Sequence, residues 1–166
     1  FGSDWIDSTA SDQQFLARFG WTLQQDQGTN ALARNEGDFV LPEHPVLEGV
    51  NAFDGEGVSP VVIPQVDVEG VRSQLIVRAK PGSQTRNNDG DPSTNNGRGS
   101  SRTTTDQDAA LAIGSFGDGL FAVHFDRNTF FNTGGQGTDI TRFDNQQHGI
   151  NLVQYKTGMP KPAVRN

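Results

Sequence analysis

Apolar residues fall in short runs divided by polar stretches, and their spacing changes along the chain. From Ser11 to Gly20, Phe15, Leu16 and Phe19 recur at helical spacing. Ser11 stands where an N-cap is needed, Gln14 completes a capping box, and Gly20 is a natural stop. Trp21-Thr22-Leu23-Gln24-Gln25 then alternates as a strand. Asp26 to Gly37 is polar and predicts a loop. Two prolines frame His44, and Pro45 opens a single helical turn that ends at Gly49. Val61-Val62-Ile63 predicts a short strand between Pro60 and Pro64. Ser73 to Ala79 predicts another, with Leu75, Val77 and Ala79 on one face.

Ala109 to Ile113 and Leu120 to Phe125 are nearly continuous apolar runs. Such runs suit strands covered on both faces, as in the centre of an α/β sheet. Gly117-Asp118-Gly119 between them supplies a tight hairpin. A final helix is expected from an N-cap at Asp144 to about Thr157, ended by Gly158 and Pro160. Its inner side would be Ile150, Leu152, Val153 and Tyr155, with His148 toward solvent. His124 reads as a core histidine.

Pro81 to Asp108 stands apart: its 28 residues include no Ala, Val, Ile, Leu, Met, Phe, Trp, Tyr or Cys. Composition alone reads it as a disordered polar insert. If it is ordered, an ion, a neighbouring chain or dense backbone hydrogen bonding must supply the order. The whole chain, residues 1–166, is expected to form a single domain carrying this insert.

Charge and composition narrow the function. The 166 residues carry a net charge of −7, which argues against nucleic acid or anionic lipid as the main partner. The absence of cysteine removes thiolate nucleophiles, disulfides and zinc–cysteine sites. No apolar run reaches the ~18 residues of a membrane span, so no membrane insertion is expected. Low lysine content (Lys80, Lys156, Lys161) and many small polar residues suit a secreted, extracellular or periplasmic bacterial protein. The first residue is Phe1, consistent with a removed leader or with a piece of a larger precursor or assembly.

Four segments in order carry a family resemblance. Phe15 to Trp21 ends in Phe-Gly-Trp, and Glu43 to Val50 holds a His-Pro-apolar segment closing on Gly49-Val50. Gly117 to Asn132 is a strand leaving a glycine turn and ending in an Asp loop with aromatics and Asn. Asp144-Asn145 and Asn151-Leu152-Val153 complete the set. Together they resemble non-catalytic members of the class I glutamine amidotransferase-like superfamily, which include the GIFT domains of intraflagellar transport and domains of bacterial extracellular and membrane-anchored proteins. The resemblance implies an α/β fold: a small mixed sheet flanked by helices, flavodoxin-like, here without the family's first strand and helix. The insert is longer than the family's usual one. Amidotransferase chemistry does not carry over, because it needs a cysteine nucleophile.

Asp126 is expected at the C-terminal end of a buried strand, where open α/β sheets bind ligands. Arg127, Asn128, Asn132, Asp144 and Asn145 would join it in holding a carbohydrate or another protein chain. The alternative is that Asp126 and Asn132 merely tie down their loop. Asn87, Asp89 and Asp91 alternate as the first ligands of a calcium loop do, but Pro92 and Arg98 stand where a Gly and a bidentate Glu belong. An irregular calcium site and a solvated turn remain the two readings. His44, His124 and His148 lack zinc spacing, and Gly57-Val58-Ser59-Pro60-Val61 fails as a nucleophile elbow. Glu48, Asp54, Glu56, Asp67 and Glu69 read as a solvated acidic face, or as the carboxylates of an extracellular hydrolase with calcium in the insert. With no nucleophile and base to name, a non-enzymatic binding or interaction module is favoured over that hydrolase.

Overall fold

A computed structural model describes residues 14–23, 30–55, 58–64, 66, 68–80, 107–132 and 138–158. Seven strands run through them: β1 Thr22–Leu23, β2 Asn30–Ala33, β3 Ala52–Gly55, β4 Val61–Val62, β5 Val71–Arg78, β6 Asp108–Phe116 and β7 Gly119–His124. One long helix, α1, spans Asn145–Thr157. Residues 14–17 are helical, and Gly20 closes that segment at φ +76°. Single 3-10 turns occupy Arg34–Glu36, Pro45–Leu47 and Asn128–Phe130.

Every described strand pair is antiparallel. The larger sheet runs β1-β4-β6-β5, with β7 also paired to β6, and β2 and β3 form a separate ribbon. The α/β expectation of a mixed sheet flanked by helices is therefore corrected to a mostly antiparallel β architecture with one long helix among the described residues. The misleading signal was two-sided burial. Asp108 to Gly114 are all buried, as a central strand of an α/β sheet would be. Yet Phe116 pairs with Gly119 across a two-residue turn, which only antiparallel neighbours permit.

Both faces of β6 are covered, mainly by elements other than long helices. On one face, Ile76, Val77, Ala110 and Leu111 meet Leu32 and Phe53 of the ribbon, Val46 and Leu47 of a 3-10 turn, and Phe125. On the other, Ala109, Ala112 and Val123 meet Leu16, Trp21 and Leu23. Trp21 is fully buried, and its indole N–H donates to Ser73 at 2.9 Å. In β5 the ladder shifts register between Leu75 and Val77 and again before Arg78. The irregularity turns Ile76 and Val77 both inward, so the expected alternation through Leu75, Val77 and Ala79 fails there. Asp108, the end of the expected insert, is the first residue of β6. The rest of that insert through 106 lies outside the described residues.

Candidate functional site

Asp54 is the hub. It sits on β3, fully buried, among four segments. Its carbonyl accepts from the Thr129 hydroxyl (2.6 Å). Its Oδ1 accepts from the Thr138 hydroxyl (2.5 Å) and from the Asn145 amide (2.8 Å). Its own N–H donates to Asn145 Oδ1 (3.1 Å). Oδ2 faces Arg142 Nη2 at 3.2 Å, an ion pair rather than an aligned hydrogen bond. A buried carboxylate needs such partners, since charge taken out of water is costly unless matched. Through its carbonyl Asp54 joins β3 to the turn after β7, and through its carboxylate to the 138–142 loop and to α1. This corrects the reading of Asp54 as part of a solvated acidic face; Glu48 and Glu69 are exposed as expected, and Glu56 and Asp67 lie outside the described residues.

Asp144 fixes the start of α1. Its carboxylate leaves the helix N-terminus uncapped and accepts instead from the N–H groups of Asn51 (2.7 Å) and Ala52 (3.1 Å). The helix then lies on its polar side. Asn145, His148 and Asn151 are buried, and the Asn151 amide donates to the carbonyls of Val46 (3.3 Å) and Glu48 (2.8 Å). Ile150 and Val153, expected inside, are exposed, while Leu152 and Tyr155 are partly buried.

The six candidate ligand residues divide by depth. Asp126 and Asn145 are buried, Asn128 and Asp144 half-buried, Arg127 and Asn132 exposed. The Asp126 carboxylate accepts from the Asn128 N–H at 2.7 Å, turning the chain after β7. Asn145 belongs to the Asp54 hub. Two exposed rings with no distinguishing pattern in the sequence lie on the same loops: Phe131 and Phe143, the latter 54% exposed. The Ile140 N–H donates to the Phe131 carbonyl at 2.8 Å and holds the two loops together. Phe143 has φ +44°, the one non-glycine residue with positive φ among those described, and the Arg142 guanidinium lies over its ring at 5.6 Å. For a bulky residue that conformation is strained.

Behind this surface, between β3, β7 and α1, the rings of Phe53, His124, Phe130 and His148 pack together. His148 stacks on Phe53 at 4.4 Å and 14°. His124 lies 5.3 Å from His148 and 4.8 Å from Phe130. Burial lowers His148 to a pKa of about 4. Burial, and then the neighbouring His148, hold His124 well below its ordinary value. His124 is in the core as expected; His148 is buried, not solvent-facing.

Among the described residues, no group of three or more His, Asp or Glu side chains is arranged to hold a metal ion. The calcium candidates Asn87, Asp89 and Asp91 lie outside the described residues. No described helix is long and apolar enough to cross a membrane. A scan of protein-family models finds no match to this chain, and neither does a search of curated proteins or of solved structures.

Proposed function

We propose that the chain is a non-enzymatic binding module that takes carbohydrate on the surface formed by Arg127 to Asn132 and Arg142 to Phe143. The observation that carries this reading is Phe143: an exposed ring kept at positive φ beside an arginine that a buried carboxylate holds in place. Strain of roughly 1–3 kcal/mol at a surface residue gives folding nothing, so a use in recognition accounts for it. An exposed ring offers an apolar face to the C–H side of a sugar, and Arg and Asn side chains supply hydrogen bonds to its hydroxyls. In this proposal Arg127, Asn128 and Asn132 touch the ligand, and Asp126, Asp144 and Asn145 brace the loops. The acidic, lysine-poor composition supports a place outside the cytoplasm.

Phe143→Gly tests the proposal, because it removes the ring and also relieves the backbone. Binding of the wild type and the variant to an immobilised panel of oligosaccharides is compared with their urea midpoints. The expected result is at least tenfold weaker binding with stability unchanged or raised by up to ~1 kcal/mol. Equal binding by both proteins, or binding of a protein partner in place of every glycan, overturns it.

A further inference from the structure

The buried imidazoles have a chemical problem at acid pH. His124 Nδ1 lies 2.7 Å from the Asp126 carbonyl, and His148 Nδ1 lies 3.4 Å from the Val46 carbonyl. The Asp126 N–H also approaches His124 Nδ1, at 3.2 Å, but the carbonyl is the closer partner and a bare Nδ1 would repel it. A carbonyl only accepts, so each Nδ1 is assigned the proton and each Nε2 is a bare acceptor. Both Nε2 atoms are buried and have no hydrogen-bond partner. A proton added at either Nε2 creates a cation inside an aromatic box. Two such protons place like charges on rings 5.3 Å apart.

Among the described residues, no carboxylate is turned to meet that charge. On β3, Asp54 is engaged by Thr138, Asn145 and Arg142. After β7, Asp126 meets His124 through its backbone, and its carboxylate accepts from Asn128. At the start of α1, Asp144 is turned to Asn51 and Ala52. Beside the 45–47 turn, Glu48 is exposed and His44 packs on Tyr155 at 5.0 Å. The 128–130 turn contributes Phe130, which does not titrate.

We propose that His124 and His148 work as a proton-operated latch: neutral, they seal α1 against β3, and protonated, they release α1 together with the Arg142–Asp144 surface. The helix is the part that yields, because its buried face is Asn145, His148 and Asn151 and its exposed face carries Ile150 and Val153. Apart from Leu152 and Tyr155, which pack partly buried against the core, it is attached through polar side chains and their hydrogen bonds, whereas the sheet keeps its own apolar core. As a regulator of ligand binding, the latch rests on the surface proposed above; as a conformational device it stands without it.

Amide hydrogen exchange tests the latch in the absence of ligand. Protection factors, corrected for intrinsic rates, are compared at pH 7.5 and 5.5 for α1 and for β6, in the wild type and in H124F/H148F. In the wild type, α1 is expected to lose at least tenfold, approaching about 100-fold if both rings charge on opening, while β6 holds. The double variant is expected to show no pH dependence in α1. Constant α1 protection in the wild type, or equal loss in α1 and β6, overturns the latch. If the double variant does not fold, imidazole NMR titration of the wild type decides. Rings that stay neutral in the closed form down to about pH 5 support the latch, and titration near 6.5 with α1 still protected overturns it. If exchange shows the latch but no glycan binds, the binding reading falls and the latch stands. If a glycan binds equally at both pH values while α1 opens, the regulatory claim falls.

Discussion

Asp54→Ala removes one carboxylate and leaves Thr138, Asn145 and Arg142 without the acceptor they share. Unmet buried donors are expensive, so a loss of about 3 kcal/mol is expected in urea unfolding at pH 7.5. Glu43→Ala, at an exposed carboxylate paired with Arg34, is expected to stay within ~0.5 kcal/mol of wild type. A small effect of Asp54→Ala would contradict the hub. Nothing local in the sequence marks Asp54, which stands among Gly55, Glu56 and Gly57 as an ordinary acidic turn would. Its partners Thr129 and Asn145 are 75 and 91 positions away. Asp126 was legible as the polar residue that ends a buried apolar run, whereas Asn145 was marked only by the motif at Asp144-Asn145 and its depth was not legible. Phe143 is not legible as a site residue, because a lone aromatic in a polar loop does not announce its φ.

At the scale of elements, α1 has the expected limits and an unexpected face. Asp144, Thr157 and Gly158 were readable as end signals, and Gly158 does close the helix at φ +64°. The face was misread because burial was assigned by hydropathy, whereas here the helix meets open carbonyls of the 45–50 segment. Asn151→Ala, which takes a donor from the Val46 and Glu48 carbonyls, should lower stability by about 1–2 kcal/mol, and Val153→Ala by less than ~0.5 kcal/mol. The reverse order in thermal melts would return the helix to its hydropathic face. β2 and β3 were missed for a related reason. Asn-Ala-Leu-Ala and Ala-Phe-Asp-Gly have little strand preference alone and gain it from pairing with each other. The β6–β7 hairpin was legible because Gly117 and Gly119 frame a turn between two apolar runs. Within it, a Cβ at Gly114 would overlap the Phe121 ring, so Gly114→Ala should destabilise by ~1–3 kcal/mol. Unchanged urea unfolding would show that the ring swings aside.

At the scale of the whole molecule, the described residues form an antiparallel sheet whose two faces are covered by mostly non-helical elements, and α1 is attached to it largely through polar side chains. The interior around His124 and His148 is neutral, with no counter-charge turned toward it among the described residues. In the unfolded chain both histidines titrate near 6.5, while in the folded protein burial holds His148 at about 4 and His124 well below its usual value. Between those limits the unfolded chain binds more protons, so stability is greatest above about pH 6.5 and falls as the pH drops. Exposed carboxylates stay ionised over most of that range and contribute little. The most direct measurement is the unfolding free energy of the wild type by urea titration at pH 7 and pH 5. A fall of about 3–4 kcal/mol, close to two protons taken up on unfolding, is predicted. A stability that is unchanged, or that rises at pH 5, would mean that the two rings are solvated or paired with a carboxylate, and would contradict the account.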